Sequence, residues 1–175
     1  MRALTLADVP AILALQAACY AADYLEPPEA FAAKLQASAQ TCWGVPDPQA
    51  AGSLLAYLVC LPVPSWHGPR LHATQWSAPQ RAQALYLHDL ALHPATRGQG
   101  VGQALVAQAE AWARGQGLRA LSLMAVQGST GYWARQGFQL WDQPSDPLDD
   151  DAQDRAQTIE SYGDGACLMV KSLVA

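Results

Sequence analysis

Several classes of protein are excluded by what this chain of 175 residues lacks. No apolar run approaches the roughly 20 residues that a membrane-spanning helix needs, so we expect no membrane segment. The opening residues MRALTLADVP do not resemble a secretory signal, because no apolar stretch leads to a cleavage site. A net charge of −5 argues against the basic surface that sequence-independent nucleic-acid binding requires. We therefore expect a cytoplasmic protein that binds neither a membrane nor nucleic acid.

Cysteines give no sign of a metal site. The chain has four, at Cys19, Cys42, Cys60 and Cys167, and none stands in a C-x-x-C pair. We expect no metal, and we expect thiols that are reduced and mostly buried. With 51% apolar and 14% charged residues, no internal repeat and no long linker, the sequence predicts one folded domain over residues 1–175.

The most informative stretch is a predicted strand, turn and helix. The apolar run Leu85–Leu92 ends at His93-Pro94 and predicts a strand. The turn Arg97–Gly102 contains three glycines, and a helix from about Gln103 to Gly115 follows. Glycine lets a ligand approach the backbone closely, and the first amides of a helix have no internal partner. This pattern predicts an anion site, most often for phosphate, with an ordinary strand-to-helix turn as the alternative.

The glycine spacing excludes two common phosphate-binding motifs. Gly98-x-Gly100-x-Gly102 is one residue short of the G-x-G-x-x-G dinucleotide fingerprint, which disfavours a nicotinamide oxidoreductase. Gln103 stands where a P-loop requires lysine. The sequence Arg97-x-x-Gly100-x-Gly102 after a strand instead resembles the coenzyme A pyrophosphate loop of the GNAT superfamily, the acyl-CoA-dependent N-acetyltransferases.

A second signature follows at a suitable interval. Leu118–Val126 reads as another strand, and Gly131–Phe138 (GYWARQGF) resembles the short helix and turn that come after it in GNAT enzymes. The remaining predicted elements are strands at Arg2–Thr5, Thr41–Val45, Ser53–Leu61 and Ala166–Leu173 and helices at about Asp8–Tyr20 and Glu29–Ala39. Their order is compatible with the GNAT fold, an α/β (α+β) fold with a mixed central sheet of six to seven strands and helices on both faces.

The resemblance implies that acetyl-CoA is a co-substrate and that its acetyl group passes to the primary amine of a small molecule or peptide. In GNAT enzymes the pantetheine arm lies along the central strand, here on the backbone of Leu90, Ala91 and Leu92. Arg97, unless it is a plain surface arginine, would add charge to the pyrophosphate amides of Gly98, Gln99, Gly100, Val101 and Gly102. Gln127 and Ser129 are candidate coenzyme contacts or simple turn residues.

Amine acetylation needs a base, because an alkylammonium with a pKa near ~10 is mostly charged at neutral pH and is not nucleophilic. His88 is the first candidate, since imidazole titrates near neutrality. Its surroundings resemble aralkylamine N-acetyltransferases, in which a histidine at this position is the base. Those enzymes carry a second histidine two residues earlier, where this chain has Tyr86. A core histidine bonded to Asp89 or to a backbone carbonyl is the alternative.

Strand alternation would put His88 on one face with Tyr86 and Leu90, and Asp89 on the other face. Asp89 is a second candidate base if a bulge turns it into the cleft. The free backbone N–H of Leu90 is a candidate donor to the oxyanion of the tetrahedral intermediate.

The leaving thiolate has no obvious acid. GNAT enzymes often place a tyrosine four residues before the glycine of the Gly-Phe pair, and counting back from Gly137 gives Trp133. Indole cannot deliver its N–H proton. Tyr132 is adjacent, but one residue along a helix is a rotation of about 100°, so Tyr132 is a candidate acid for which core packing is the alternative.

The acceptor side is less defined by the sequence. The loop Pro62–Gln80 carries aromatic residues that either wall an acceptor pocket or pin the loop to the core, and position alone suggests four pocket residues, namely Glu26, Trp66, His67 and Trp76. The acidic segment Asp142–Asp154 reads as a solvated loop or as an attractor of cationic acceptors. A coenzyme-A-binding sensor without turnover is the alternative function, and both a monomer and a homodimer are compatible with the sequence.

Overall fold

A central sheet organises the fold of residues 1–141 and 152–174, which the computed structural model describes. Within these residues the sheet has seven strands in the order β1-β2-β3-β4-β5-β7-β6. Only β4 and β5 are parallel among the described pairs, and the others are antiparallel. The strands are β1 (Arg2–Ala3), β2 (Cys42–Pro46), β3 (Leu54–Val63), β4 (Ala84–Leu92), β5 (Ala120–Ala125), β6 (Gln139–Leu140) and β7 (Cys167–Ser172).

Helices cover both faces of the sheet. They are α1 (Val9–Cys19), α2 (Pro28–Ser38), α3 (Val101–Gly115), α4 (Thr130–Arg135) and α5 (Ala152–Ser161). Pro10 and Pro28 stand in the first turns of α1 and α2, where a missing backbone N–H costs no helical hydrogen bond. The mixed sheet between two helical layers confirms the predicted fold class.

The sheet separates two apolar layers because its strands alternate between faces. On one face, α3 and α4 pack against Leu58 and Leu87. On the other, α1 and α2 pack against Tyr57, and the chain around α5 packs against Tyr86. The middle of the sheet is therefore buried on both sides, which explains why β3 reads as a continuous apolar run.

A β-bulge interrupts β4 at the centre of the sheet. Val59 of β3 lies opposite Asp89 and Cys60 lies opposite Leu87, so His88 is an extra residue in β4. The expected strict alternation is therefore wrong beyond Leu87. Leu90 returns to the face of Leu87, whereas Asp89 lies on the opposite face.

The two parallel strands part immediately after the bulge. Pairing runs from Ala84 opposite Ala120 to Leu87 opposite Leu123. Beyond this point β4 continues beside β3 to Leu92, and β5 continues beside β7. The facing edges of β4 and β5 are left without a strand partner, and a wedge-shaped opening forms in the sheet.

The sequence patterns missed two elements. Strand β6 is only two residues long, and α5 begins at the end of a stretch read as a polar loop and continues through residues for which no element is predicted. Of the acidic segment, residues 142–151 lie outside the described residues, and Ala152–Asp154 form the start of α5. Helix α3 begins at Val101, two residues before the predicted start, because Gly100 adopts a left-handed conformation just before it. In the described part of the chain, no helix is both long and apolar enough to cross a bilayer.

Leu58 offers a direct test of the core. Its side chain is fully buried under α3, so Leu58→Ala should lower the free energy of unfolding by about 2–5 kcal/mol in urea titrations. Leu140, which is 58% exposed in β6, is the matched control, and Leu140→Ala should change it by less than about 0.5 kcal/mol. Equal losses in the two variants would contradict this description of the core.

Candidate active site

A cavity of about 530 Å³ occupies the opening between the parted strands. One end reaches the glycine turn at Arg97 and Gly98, and the other reaches His88 and Glu26. The intervening wall includes Leu90 and other residues of β4, together with residues from the end of α1 and from α4. The predicted phosphate site and the predicted base therefore line one continuous space.

The glycine turn presents a row of unpaired backbone amides. Within the described residues, the N–H groups of four predicted positions have no hydrogen-bond partner, namely Gly98, Gly100, Val101 and Gly102. Gln99 departs from the prediction of a free amide, because its N–H donates to the Thr96 carbonyl oxygen at 3.3 Å. Gln103, in the first turn of α3, adds a fifth free amide. Amides that converge at a helix N-terminus form an anion site.

Positive φ angles at Gly98 and Gly100 give the turn its shape. The values are 78° and 79°, a conformation that side chains with a Cβ rarely adopt. The glycine pattern is therefore a backbone requirement. Arg97 is exposed beside this turn. Burial raises the pKa of the Cys19 thiol, and the Arg97 guanidinium partly offsets that effect.

The open edge of β4 offers the backbone of Leu90 and Leu92. The His93 N–H donates to the Leu55 carbonyl on β3 at 2.9 Å. Since backbone groups in an antiparallel ladder alternate sides, the N–H groups of Leu90 and Leu92 point away from β3, into the opening. Ala91 departs from the prediction that its backbone binds the pantetheine arm, because the same alternation turns its N–H and C=O toward β3.

Side chains from the end of α1 hold the same edge. Tyr20 Oη donates to the Leu90 carbonyl oxygen at 2.7 Å, and Cys19 Sγ donates to the Leu92 carbonyl oxygen at 3.2 Å. The carbonyls on this edge are therefore occupied, whereas its N–H groups remain available to a ligand.

His88 bonds to Glu26 through a 2.7 Å contact between Nε2 and Oε2. Since a carboxylate only accepts hydrogen bonds, Nε2 carries the proton, and the lone pair of the neutral ring resides on Nδ1. Nδ1 lies 3.4 Å from the Tyr162 hydroxyl, and both residues line the cavity. The alternative of a bond between His88 and Asp89 is not observed.

Glu26 is held by groups that the sequence did not single out. Lys34 Nζ, fully buried on α2, donates to both carboxylate oxygens at 2.9 and 3.1 Å. The backbone N–H of His72 donates to Oε1 at 2.9 Å. Burial alone would raise the pKa of Glu26, but the attraction of His88 and Lys34 outweighs it and lowers the pKa to about 2. Glu26 is therefore ionised at neutral pH.

Asp89 lies beside His88 but faces a different set of partners. Its two carboxyl oxygens contact the hydroxyls of Tyr20 and Tyr57, each at 2.6 Å. Burial raises the pKa of Asp89 more than these hydrogen bonds lower it. The bulge that would make Asp89 a candidate base is present, but both oxygens are already engaged.

Tyr132 and Trp133 have different surroundings. Trp133 packs edge-on against Phe138 at 5.4 Å and is only 8% exposed. Tyr132 and Trp133 both line the cavity, but the Tyr132 hydroxyl is buried without a hydrogen-bond partner among the described residues. A Cβ on Gly102 would come within 2.5 Å of that hydroxyl, so the third glycine of the turn makes room for Tyr132.

The two non-glycine residues with left-handed backbones, within the described chain, lie at this site. Gln127 has a φ of 51°, and His72 has a φ of 65°. Gln127 lines the cavity together with Ser129, and His72 presents its N–H to Glu26. Non-glycine residues in this conformation concentrate at functional sites, where the surrounding structure holds them in place.

The predicted acceptor residues divide into two groups. Glu26 lines the cavity, but the other three side chains do not. Trp66 packs on Trp141 at 5.4 Å, His67 Nδ1 contacts the Gly68 carbonyl at 3.1 Å, and Trp76 joins the apolar cluster of that loop. The aromatic residues of the loop thus pin it to the core.

Four other cavity residues carry no signal in the sequence. They are Tyr20, Tyr24, Leu71 and Tyr162. Tyr20 and Tyr24 follow or flank the end of α1, and Tyr162 follows α5, so they are far from the motifs along the chain. Only the packing of these elements against β4 brings them to the cavity.

The sequence profile of the acetyltransferase (GNAT) family matches residues 9–138. No curated protein sequence matches the chain significantly.

Solved structures share the fold at low sequence identity. The GNAT-like decarboxylase GphF in complex with isobutyryl-CoA has a TM-score of 0.69 at 18% identity, covering 99% of this chain and 98% of that one. The loading GNATL domain of CurA from Lyngbya majuscula has a TM-score of 0.72 at 10% identity, with 98% and 96% covered. PaiA N-acetyltransferase from Thermoplasma acidophilum, in complex with coenzyme A, has a TM-score of 0.61 at 16% identity, also with 98% and 96% covered.

The profile spans most of the chain, and it includes the glycine turn, the bulged strand and the Gly-Phe turn. These are the elements that build the cavity described above. The chain belongs to the acetyltransferase (GNAT) family.

Proposed function

We propose that this protein transfers an acetyl group from acetyl-CoA to a primary amine by direct attack in a ternary complex. The observation that carries the proposal is the continuity of the cavity, which reaches from the glycine turn at Gly98 to His88 along the open edge of β4. Phosphate binding at one end and a base at the other are the two requirements of this reaction. The proposal is supported by PaiA, which is named as an N-acetyltransferase and shares the fold.

The glycine turn and β4 would position the thioester. The amides at positions 98, 100, 101, 102 and 103 would hold the pyrophosphate, with charge from Arg97. The N–H groups of Leu90 and Leu92 would bond to the substrate along the open edge. The Leu90 N–H is then the donor that stabilises the thioester oxygen as it gains negative charge.

His88 would act as the base through Nδ1. Its Nε2 proton is committed to Glu26, so Nδ1 is the atom that can take a proton from the acceptor amine. The amine nitrogen attacks the thioester carbonyl carbon, the carbon–sulfur bond breaks, and the amine proton ends on Nδ1. The ionised Glu26 stabilises the imidazolium that forms.

Tyr132 would supply the proton that the leaving thiolate takes up. Its hydroxyl is a buried donor without a partner among the described residues, and the residue belongs to the lining of the cavity. Burial raises the pKa of Tyr132, so the hydroxyl is protonated at neutral pH and can donate. This assigns the acid to the residue beside the usual tyrosine position.

The remaining features of the proposal are broader. The acceptor is a small-molecule or peptide amine, and the protein acts as one domain in the cytoplasm, as a monomer or a homodimer. The chemistry requires no metal. GphF, named as a decarboxylase, makes decarboxylation of an acyl-CoA the reaction that must be distinguished.

Coenzyme binding tests the first half of the proposal. Gly100→Val places a β-branched side chain at a φ of 79°, so the turn should rearrange and the affinity for coenzyme A, measured by calorimetry, should fall about tenfold. Gly115→Ala, at the other end of α3 in open space, is the control and should bind within about twofold of the wild type. Absence of coenzyme A binding by the folded wild-type protein would overturn the proposal.

Turnover tests the second half. We expect release of free thiol from acetyl-CoA in the presence of at least one amine from a panel, with kcat lowered about 10²- to 10⁴-fold in His88→Gln. Tyr132→Phe should lower kcat while the KM for acetyl-CoA changes little, because the acid acts only as the thiolate leaves.

Two other outcomes of that assay support different functions. Release of carbon dioxide from malonyl-CoA without an amine would identify a decarboxylase. Tight coenzyme A binding with neither reaction would favour the sensor.

The buried charges behind His88 predict a dependence of stability on pH. The pKa of Glu26 is lowered from 4.5 to about 2, so its stabilisation is present above about pH 4.5 and is lost as the pH falls toward 2. Urea titrations should show a loss on the order of 3 kcal/mol across this window, and Glu26→Gln should lack that loss.

Lys34 provides the control for that variant. At pH 7, Glu26→Gln leaves the buried Lys34 ammonium unpaired and should cost about 3–5 kcal/mol of unfolding free energy. The double variant Glu26→Gln/Lys34→Met removes the unpaired charge and should recover most of that cost. A double variant as unstable as the single one would show that the ion pair is not the cause.

A further inference from the structure

Asp89, Tyr20, Tyr57 and Leu90 form a chain of close oxygen contacts behind β4. Asp89 Oδ1 lies 2.6 Å from Tyr20 Oη, and Asp89 Oδ2 lies 2.6 Å from Tyr57 Oη. Tyr20 Oη also lies 2.7 Å from the Leu90 carbonyl oxygen. All three separations are those of short O–H···O hydrogen bonds.

Three such bonds need three protons, and the two tyrosine hydroxyls supply only two. The Tyr57 proton bonds to Oδ2. The Tyr20 proton can bond to Oδ1 or to the Leu90 carbonyl, but not fully to both at these distances. If Asp89 were ionised, one of the three oxygen pairs would have no hydrogen between its members, so that two lone pairs would face each other. A proton on Oδ1 resolves the conflict, because Asp89 then donates to Tyr20 and Tyr20 donates to Leu90.

The charges around Asp89 agree with this proton count. The ionisable groups that interact with it are Cys19 and Tyr20 from the end of α1, Tyr57 from β3, and the neighbouring Glu26 and His88. None of the salt bridges among the described residues involves Asp89. Burial is the largest influence and raises the pKa of Asp89, and Glu26 adds to it, against the opposing effects of the two tyrosine hydrogen bonds and of His88. A buried carboxylate without a cationic partner is costly, and protonation removes that cost.

We propose that Asp89 is a neutral carboxylic acid at neutral pH and that, through Tyr20, it positions the open edge of β4 that presents the Leu90 N–H. The catalytic meaning of this inference rests on the proposed function, in which that N–H binds the developing oxyanion. A carboxylate on the residue directly before Leu90 would oppose the negative charge of the oxyanion, whereas a neutral acid does not. Asp89 is thus a positioning residue and not a second base.

Asparagine reproduces the proposed state of Asp89. Its amide nitrogen can donate to Tyr20 Oη, and its carbonyl oxygen can accept from Tyr57. We expect Asp89→Asn to keep kcat for thiol release from acetyl-CoA within about threefold of the wild type, and Asp89→Ala to lose about tenfold or more. If Asp89 were an ionised base, Asp89→Asn would be as impaired as Asp89→Ala.

Two measurements test the protonation state without turnover. The infrared spectrum of the wild type at pH 7 should contain the C=O stretching band of a protonated carboxylic acid, and Asp89→Asn should lack it. Glu26 cannot supply this band, since its pKa is about 2. As the pH rises from 5 to 8, the melting temperature of Asp89→Asn should increase relative to that of the wild type. The reason is that the unfolded wild-type chain releases a proton that the folded chain retains, so the wild type loses stability over this range.

These outcomes separate the inference from the proposed function. Absence of the infrared band, a melting-temperature difference that does not change with pH, or an Asp89→Asn chain that fails to fold would each overturn the neutral acid. Absence of acetyl transfer by the wild type would overturn the proposed function and leave the infrared and melting results unaffected.

Discussion

The parting of two parallel strands is the constraint on which the site depends. As long as β4 and β5 pair, their backbone groups satisfy each other and offer nothing to a ligand. Beyond Leu87 and Leu123 the strands separate, and the amides of Leu90 and Leu92 face an opening with no strand partner. The bulge at His88 adds one residue at that point, so the adjacent residues His88 and Asp89 both line the cavity.

Charged side chains are buried behind β4, the strand that borders this opening. Lys34 is fully buried, and its charge is stabilised because Glu26 accepts its hydrogen bonds. The same carboxylate also binds His88. Fixing the proton on Nε2 of His88 leaves a defined lone pair on Nδ1. The ring and its orientation therefore depend on residues from α2 and from the segment before it, none of which belongs to the glycine motif.

Local patterns in the sequence predicted what local physics controls. The glycine turn could be predicted because its backbone needs positive φ angles, and these fix residue type at short spacing. The strands and long helices followed from apolar runs and their periodicity. The fold class then followed from element order and from resemblance to GNAT enzymes.

What the sequence could not show depends on contacts between distant segments. Tyr20 and Tyr162 are separated along the chain from β4, and no spacing rule connects them to it. The bulge depends on the register between β3 and β4, which alternation within one strand does not reveal. Lys34 looked like any helical lysine, because burial of a charge is set by its partner. Helical rotation alone left core packing as the alternative role for Tyr132, because the position of its hydroxyl beside Gly102 depends on contacts between α3 and α4.

The close approach of Gly102 and Tyr132 has an evolutionary consequence. A Cβ at position 102 would occupy the place of the tyrosine hydroxyl, so the two positions cannot diverge independently. A descendant that loses the hydroxyl at 132 no longer has this contact when alanine or serine stands at 102, whereas one that keeps the hydroxyl favours glycine. Paired substitutions at these two sites would therefore mark the lineages in which the route for protonating the departing sulfur has changed.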